Sequence, residues 1–481
     1  MASRALTPCL RFDRRVSCQR SSRLSVIGRT GRPVRGMRND HMTTNGNERA
    51  IPVFSVVSGE SADTSLARLT ADGLCKRLAR RTDVDVAKYR EQCRAELAVI
   101  TQLGLADYFL MAWECVDCAR RRGIRVGPGR GSSVGSAVAW ALGVTAIDPI
   151  HFHLLFERFI NPEGTAIPEF AIDVCARRHT EVVEHFPRRP GSEHIGAVMS
   201  IPGADADARS SIMLVADRPL TEIGSCARKD VDHLVAPVTA REAERLGRFR
   251  LELHPLETLT LGQGVVDRVN ATRADCDRFD IDTIPTDDAE VFAMLARGDA
   301  ENVFQLDSSG CRELLMKVEP RCLEDLNAMI ALYRPGPLES GMTDEFIERR
   351  HGRMPRRVLH PVMEPVLADT YGLVVYQEQV MQIAHVVAGY TLAQADLLRR
   401  ALGKKKPAEL AVERPRFVAG ALQNGVGVHV AHDILDLLAL YAGYGFNRAH
   451  SAAYGWLTYQ TAYLKRHFPE EFVALLNENA G

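Results

Sequence analysis

No stretch of about 18 consecutive apolar residues occurs in this chain, so the sequence predicts no membrane-spanning helix. An excess of charge of either sign is also missing, because 60 lysines and arginines stand against 61 aspartates and glutamates. The near-neutral balance gives no global indication of a polyanionic partner. The composition is that of an ordinary globular protein, 46% hydrophobic and 25% charged, and 481 residues allow about two to four domains.

Lysine is scarce relative to arginine, and the only lysine cluster is formed by Lys404, Lys405 and Lys406. Any phosphate-binding surface is therefore expected to consist mainly of guanidinium groups. A disulfide framework is not indicated either, because the 11 cysteines are odd in number and scattered. Cys115 and Cys118 form a C-x-x-C without a second pair, so we interpret them as buried helix positions rather than a zinc or redox site. Reduced thiols favour a cytoplasmic protein.

The first 63 residues are rich in arginine and serine and contain few acids, a composition that organellar transit peptides share. The plainer interpretation is a disordered leader, or an extension translated from a start site placed too early, since Met37 and Met42 lie within it. We favour the plainer interpretation. From residue 65 onward, apolar residues recur at spacings of three to five, which predicts helices up to about residue 122.

Residues 127–136 read GPGRGSSVGS, and we call them the glycine loop. The sequence predicts a short strand, 124–126, before the loop and a helix of small residues, 132–142, after it. A strand, a glycine loop and a helix present backbone N–H groups to phosphate. A glycine-rich turn without any ligand is the alternative, because turns use glycine for positive φ in any case.

Several long blocks resemble the bacterial C-family replicative polymerases, typified by the DNA polymerase III alpha subunit. They include the glycine loop within 107–163, the RPGP motif within 330–342, YQEQVMQIA within 371–407 and GYGFNRAHS within 442–472. The resemblance implies an α/β protein with a palm domain of the polymerase-beta nucleotidyltransferase type, followed by a mostly helical fingers domain. We place the palm at 64–285 and the fingers at 286–481.

In this family the glycine loop holds the incoming triphosphate, which assigns that role to Gly129, Arg130, Gly131 and Ser132. The family's catalytic Mg²⁺ ions are held by aspartates in a Pro-Asp-x-Asp-x-Asp strand and by one aspartate in a later segment. The matching positions here are Glu169, Ala171 and Asp173 in IPEFAIDV and, in the later segment RLELHPL, Glu252.

Alternate carboxylates on one strand leave the same face about 7 Å apart and can converge on two cations about 4 Å apart. Ala171 removes the middle carboxylate, and Glu169 and Asp173 are then about 13 Å apart along the strand. Mg²⁺ requires near-ideal octahedral geometry. The longer side chains of Glu169 and Glu252 make this geometry harder to reach than aspartates would. We therefore expect the metal site to be degenerate and polymerisation to be severely impaired or absent.

The family resemblance also implies a loss of thumb residues, because only about 80 residues separate Asp173 from Glu252. We place the break between about 185 and 211, since 213–223 still resembles the strand that returns to the palm. No segment resembles the family's polymerase-and-histidinol-phosphatase domain, nor its clamp-binding and partner-subunit regions. We expect those functions to be absent.

The fingers blocks look nearly complete, and they supply further candidate binding residues. The resemblance assigns nucleotide contacts to Arg399, Arg400 and Lys404. It assigns DNA contacts to the residues Arg334, Lys405, Lys406, Arg448 and His450. Solvated charges and a turn that packs its own aromatic residues are the alternatives for these positions.

The first hypothesis for function is a polymerase paralogue that has lost or nearly lost catalysis but still binds deoxynucleoside triphosphates or primer–template DNA. The second is an active DNA-directed DNA polymerase fragment that uses Glu169, Asp173 and Glu252 with Mg²⁺ in a relaxed geometry. The third is a non-catalytic accessory protein that binds DNA or nucleotide. None of the three requires a membrane.

Overall fold

The computed structural model describes residues 60–79, 81, 84–164, 168–185, 195–198, 211–215, 227–230, 233–236, 249–404 and 407–479. All of these residues belong to one compact unit that spans 49–481. The prediction for the leader up to residue 59, and the predictions for Lys405 and Lys406, lie outside the described residues.

The predicted helical region before the glycine loop is confirmed. It consists of the helices Ala62–Leu78, Val86–Gln102 and Ala106–Arg121. The first two begin at side-chain caps, since Ser61 accepts a hydrogen bond from Thr64 N and Asp85 accepts from Ala87 N. The third ends just before Gly123, which has a φ of +65° and so terminates the helix in a conformation that glycine favours.

The helix Ala106–Arg121 lies at the centre of the first hydrophobic core. Phe109 is fully buried there, and its ring contacts those of Phe159 and Phe170 with centroid distances of 6.1 and 5.1 Å. Edge-on aromatic contacts of this kind stabilise a core beyond the area that they bury. Since Phe170 begins the first strand, this packing fixes the sheet against the helices.

Among the described residues, six strands form one mixed sheet in the order β1-β6-β3-β2-β5-β4. They are β1 Phe170–Cys175, β2 Ile195–Val198, β3 Ser211–Val215, β4 Ala227–Asp230, β5 His233–Ala236 and β6 Phe249–Leu256. β1 and β6 are parallel, whereas β3 runs antiparallel to β6. β3 coincides with the start of the predicted return strand, whose remainder, 216–223, lies outside the described residues.

The strands β1 and β6 each bury one face in the first core. Phe170, Ile172 and Val174 alternate with residues of the other face, and so do Leu251 and Leu253. Since strand side chains alternate, the residues between these apolar positions point away from this core. The opposite face is thereby available for polar side chains.

Shorter helices surround the glycine loop and the first strand. They are Ala137–Ala141, Phe156–Phe159 and His179–Val183. From residue 257 onward the described regular elements are all helical, with the α-helices Glu257–Ala271, Ala289–Ala296, Ser309–Val318, Leu323–Leu332, Pro335–Glu339, Met342–Arg350, Glu364–Leu367, Gln377–Ala388, Leu392–Gly403, Pro407–Gln423, Val428–Tyr441, Arg448–His467 and Pro469–Asn479. The described chain is therefore mostly helical with one small sheet.

The helix Arg448–His467 connects the two parts of the fold. Its Leu457 joins the first core, its Tyr459 joins the second core between the later helices, and its Ala453 packs with Val134 beside the glycine loop. A single late helix therefore contacts the sheet region, the helical region and the glycine loop at once.

Within the described ranges, no single helix is long and apolar enough to cross a membrane, although the bent pair Val86–Gln102 and Ala106–Arg121 meets the criteria of length and composition alone. Cys115 and Cys118 are buried on the second of these helices, as predicted. Burial raises the pKa of both thiols, so neither is poised as a thiolate.

Candidate active site

One face of β1 and β6 brings the predicted acidic positions together. Ala171 and Asp173 alternate along β1, and Glu169 stands just before the strand. The parallel register pairs Ala171 with Glu252 and Asp173 with His254. Paired residues of neighbouring strands point to the same side of a sheet. Glu252 therefore lies on the face where the sequence predicts the catalytic carboxylates, beside the alanine.

Glu169 and Glu252 form a hydrogen-bonded carboxyl pair that two basic residues flank. Arg250 Nη2 donates to Glu169 Oε2 at 2.7 Å, and Arg250 Nη1 lies 4.0 Å from Glu252 Oε1. His254 Nε2 lies 3.2 Å from Glu252 Oε2. These contacts give the pair a resident positive charge from the protein itself.

The two carboxyl groups of this pair titrate far apart. Burial, reinforced by the hydrogen bond with Glu252, raises the pKa of Glu169 to about 7. The hydrogen bond with His254 lowers the pKa of Glu252 to about 2. Near neutral pH the pair therefore carries between one and two negative charges, and Arg250 already compensates one of them.

Asp173 is fully buried and pairs with the glycine loop rather than with the two glutamates. Arg130 Nη1 lies 3.3 Å from Asp173 Oδ1 and donates to the hydroxyl of Tyr454 at 2.8 Å. Burial raises the pKa of Asp173, and Arg130 opposes that shift. In the described part of the chain, Asp173 Oδ2 is buried without a hydrogen bond.

The carboxylates do not fit a pair of catalytic cations. No group of three or more His, Cys, Asp or Glu side chains among the described residues is arranged to hold a metal ion. One oxygen of Asp173 faces Arg130, and Glu169 is bound to Arg250. A two-cation clamp requires several oxygen ligands converging on ions about 4 Å apart. The alanine at 171 leaves the centre of that arrangement without a ligand.

The glycine loop lies directly against β1. Gly127 N donates to Asp173 O at 2.8 Å, and Arg130 forms an isolated bridge with Ala171. A Cβ atom on Gly127 would lie 2.9 Å from Asp173 Cβ, and Gly129 adopts a φ of +122°. These positions therefore require glycine for close approach and for backbone conformation.

The elements that flank the glycine loop differ from the prediction. Residues 124–126 form no strand, and only Val126 makes an isolated bridge, with Val174. After the loop, a 3₁₀ helix spans Gly131–Gly135, and a separate α-helix, Ala137–Ala141, follows a break at Ser136. The predicted continuous helix 132–142 is therefore wrong.

Glu96 explains the break at Ser136. Its carboxylate, on the helix Val86–Gln102, accepts hydrogen bonds from Ser136 Oγ at 2.7 Å, Ala137 N at 2.9 Å and Val138 N at 3.0 Å. A buried internal carboxylate thus occupies the helix N-terminus that the sequence analysis offered to phosphate. Burial raises the pKa of Glu96 to about 7, against the pull of its hydrogen bonds.

The backbone N–H of Gly131 is paired with a side chain from the far end of the chain. It donates to His450 Nδ1 at 3.2 Å, and the His450 ring packs on Tyr454 with centroids 4.1 Å apart. Burial and the charge of Arg130 lower the pKa of His450 to about 4. The imidazole is therefore neutral at pH 7 and able to accept this hydrogen bond.

The predicted nucleotide-binding arginines of the later helices converge on one buried carboxylate. Arg399 Nη2 and Arg400 Nε lie 2.7 and 2.8 Å from the oxygens of Asp396, which is fully buried. Lys404, at the C-terminus of the helix Leu392–Gly403, is exposed. Of these three predicted cations, Lys404 is exposed, whereas Arg399 and Arg400 are partly buried and paired with Asp396.

Two of the predicted DNA-binding residues also have internal partners. Arg334 donates to Tyr444 O at 2.6 Å and stacks on the ring of Phe446 at 4.6 Å. Arg448 is buried and pairs with Asp369. Cation–π and charge-assisted contacts of this kind hold the guanidinium groups in fixed positions.

The glutamate of the YQEQ motif organises the loop that carries Arg448 and His450. Glu378 is fully buried and accepts hydrogen bonds from Arg448 N at 2.8 Å and Ala449 N at 3.4 Å. It therefore caps the helix Arg448–His467 from outside. Glu378 of this motif therefore positions the start of the helix that carries Arg448 and His450.

Sequence reasoning missed Arg250, His254 and Tyr454. A signal existed for the first two, because they stand two residues on either side of Glu252 and so share its face of β6. Tyr454 had none, since its approach to Arg130 depends on a contact across 324 residues.

Comparison with known proteins agrees with the resemblance. Residues 64–220 match the family model of the bacterial DNA polymerase III alpha NTPase domain, and residues 258–425 match that of the bacterial DNA polymerase III alpha subunit finger domain. DNA polymerase III subunit alpha of Escherichia coli (strain K12) is 37% identical over 83% of this chain and 41% of the relative. The Pseudomonas aeruginosa protein of the same name is 35% identical over 88% of this chain and 43% of the relative.

The protein of that name from Haemophilus influenzae is 38% identical over 80% of this chain and 40% of the relative. The chain thus spans about two fifths of the length of the curated relatives that it matches. The similarity extends over the glycine loop, the acidic strand and the later helices, where the resemblance was first seen. This chain therefore belongs to the bacterial DNA polymerase III alpha subunit family.

Proposed function

We propose that this chain is a palm and fingers unit of the DNA polymerase III alpha type that has lost most or all polymerisation. In this proposal, 64–285 is the palm and 286–481 the fingers, and the substrates approached are deoxynucleoside triphosphates and primer–template DNA in the cytoplasm. The side of β1 and β6 that carries Glu169, Asp173 and Glu252 is called the acidic face. The observation that carries the proposal is Ala171, which stands opposite Glu252 at the centre of this face.

The position of Ala171 matters because phosphoryl transfer depends on cations held between the attacking and the leaving oxygens. A methyl group has no lone pair to offer, and the remaining carboxylates are engaged elsewhere. Glu169 is bound to Arg250 at 2.7 Å, and Asp173 lies 3.3 Å from Arg130. The acidic face is therefore neutralised by its own arginines.

The alignment lengths support a loss of residues from this chain. The match to the Escherichia coli protein runs over 477 positions, but 83% of 481 residues is only about 400. About 80 aligned positions of the relative therefore face gaps in this chain. We place most of this loss between 185 and 211, in the thumb.

The glycine loop could still bind phosphate, but only if the phosphate replaces the present hydrogen-bond partners of the loop. The N–H of Gly131 donates to His450, and the guanidinium of Arg130 faces Asp173 and Tyr454. A bound triphosphate would have to replace these partners with its own oxygens. We therefore expect weak nucleotide binding through Arg130, Gly131 and Ser132.

Primer extension tests the proposal. The unmodified protein, with Mg²⁺ and all four deoxynucleoside triphosphates, is expected to give no template-dependent extension. The double variant Glu169→Asp, Ala171→Asp restores two ligands and is expected to raise any trace activity, whereas Glu169→Asp, Ala171→Asn, which matches it in size without the second charge, is not.

Extension by the unmodified protein that disappears in Glu169→Ala would establish the active-fragment hypothesis instead. Retention of primer–template DNA without extension, with an affinity that falls steeply as salt rises, would favour the accessory hypothesis. Fluorescence anisotropy of a labelled primer–template at several salt concentrations measures that retention.

A further inference from the structure

A basic cavity lies away from the acidic face, among the later helices. It is formed by the end of the helix Met342–Arg350, the segment 351–360 that follows, and the helix Val428–Tyr441. Its volume is about 530 Å³, which is in the range of sites that enclose a small ligand or a few side chains of a peptide. We call it the basic cavity.

The sequence around the cavity is strongly one-sided in charge. Residues 349–360 read RRHGRMPRRVLH, with five arginines and no acid. Arg350 and Arg353, which do not line the cavity, pair with acids at 2.9 and 2.7 Å. Arg356 and Arg357 line it and are exposed, and no ion pair of either is found among the described residues.

Arg356 is held in place without being neutralised. Its guanidinium stacks over the ring of Tyr371 at 4.6 Å. Stacking of this kind orients the planar group and leaves its edge free to donate hydrogen bonds. The cavity therefore presents an oriented donor edge for which the described residues supply no acidic partner.

Arg349 adds a second, buried donor. Its side chain is only 10% exposed, and although Glu345 binds one end, its Nε has no hydrogen-bond partner within the described part of the chain. Gly372 allows this position, since a Cβ there would lie 2.9 Å from Arg349 Nη1. A buried N–H without a partner loses its hydration with no compensating hydrogen bond, so an incoming acceptor at this site is favoured.

The floor of the cavity is aliphatic. Met363, Leu367 and Leu373 line it and are almost fully buried, whereas Leu359 stands at the rim with 44% of its surface exposed. An apolar floor beneath a cationic rim suits a ligand that is anionic at one point and apolar at another.

We propose that the basic cavity binds an acidic peptide segment of a partner protein, with carboxylates on Arg356 and Arg357 and one apolar side chain on the aliphatic floor. A nucleic acid fits less well, because most of the residues that line the cavity are aliphatic or basic and Tyr441 is the one aromatic residue among them. Single-stranded bases would need more aromatic surface than this on which to stack. This inference does not depend on whether the acidic face is catalytic.

Fluorescence anisotropy with a defined panel of peptides tests the proposal. Each fluorescein-labelled octapeptide carries an Asp-Glu pair next to Leu, Ile or Phe, and a matched panel replaces the acids with Asn and Gln. At least one acidic peptide is expected to bind the full chain with a Kd in the micromolar range, and its neutral counterpart at least tenfold more weakly.

Three variants assign the site. The double variant Arg356→Gln, Arg357→Gln is expected to weaken binding at least tenfold, since each lost charged hydrogen bond is worth about a factor of ten. Leu359→Ser, at an exposed rim position, is expected to weaken it severalfold. Arg353→Gln is the control, because it removes one positive charge from the same segment outside the cavity lining, and it should change the Kd less than twofold.

Several results would overturn the proposal. They are the failure of every peptide in the panel to bind at millimolar concentration, equal loss in Arg353→Gln and in the double variant, and binding unchanged in the double variant. Displacement of the peptide by a short oligothymidylate at lower concentration would identify the cavity as a nucleic-acid site instead.

Discussion

His450 is a predicted binding residue whose side chain already has partners within this molecule. The sequence assigned it to DNA, but its Nδ1 accepts a hydrogen bond from Gly131 N, and its ring packs on Tyr454. Arg130 likewise faces Asp173, and Arg399 faces Asp396. At the scale of single residues, several predicted binding residues therefore already have internal partners, whereas Lys404 is exposed.

The pH dependence of stability should reveal the state of His450. Its folded-state pKa is about 4, below the ordinary value of about 6.5, so the unfolded chain takes up a proton first as the pH falls. The contribution of His450 to the free energy of unfolding is therefore fully present above pH 6.5 and is lost between pH 6.5 and 4, by about 2 to 3 kcal/mol at pH 4.5.

Urea unfolding of the wild type and of His450→Gln at pH 7 and pH 4.5 measures this contribution. The free energy of unfolding of the variant, relative to that of the wild type, should be higher at pH 4.5 than at pH 7. His429→Gln, at an exposed position of the helix Val428–Tyr441, supplies the control. An identical pH dependence in wild type and His450→Gln would show that the imidazole is not held neutral.

At the scale of elements, the helix Ala137–Ala141 depends on a residue from another helix. The Glu96 carboxyl group accepts hydrogen bonds from Ser136 Oγ, Ala137 N and Val138 N, and all three bonds are buried. Glu96→Ala leaves these donors without partners, and we expect a loss of about 1 to 3 kcal/mol of unfolding free energy near pH 5. Glu91→Ala, on the exposed face of the same helix, should cost less than about 0.5 kcal/mol.

The sign of the pH effect at Glu96 separates it from an ordinary surface acid. Its folded-state pKa of about 7 exceeds the ordinary value of about 4.5, so ionisation opposes folding. The contribution of Glu96 to the free energy of unfolding should fall as the pH rises from 4.5 to 7, so the difference between the wild type and Glu96→Ala should narrow by up to about 3 kcal/mol over that range. A difference that stays constant across this range would contradict the assignment.

The same elements indicate what could be predicted from the sequence. The helix Ala106–Arg121 was predictable because its apolar spacing and Gly123 are local signals. The break at Ser136 was not, because the cause is Glu96, which stands 40 residues earlier in the chain. The local spacing of apolar residues carries no information about a cap that is supplied from that distance in the chain.

The acidic face likewise contains features that could be predicted from the sequence and features that could not. Strand alternation placed Glu169, Ala171 and Asp173 on one side, and the family resemblance pointed to Glu252, which the register sets opposite Ala171. The partners Arg130 and Arg250 could not be assigned, because each choice of ion pair depends on tertiary distances. A sequence gives candidate charges, whereas packing decides which of them meet.

At the scale of the whole molecule, the helix Arg448–His467 decides whether the two parts of the fold unfold together. Leu457 is 3% exposed in the first core, and Tyr459 is fully buried in the second. A helix shared by two cores couples their stabilities, because unfolding of either part exposes apolar surface on the other. The molecule is therefore expected to unfold in one cooperative step.

Leu457→Ala tests this coupling, because truncation of a buried leucine costs about 2 to 5 kcal/mol. If the cores are coupled, the variant should shift a single urea transition to lower denaturant concentration, with tryptophan fluorescence and far-UV circular dichroism remaining superimposable. The exposed Leu440 provides the control, and Leu440→Ala should leave the midpoint nearly unchanged. Two separated transitions, of which only the earlier one moves in Leu457→Ala, would mean that the sheet region unfolds independently and that the late helix joins the two cores without coupling them.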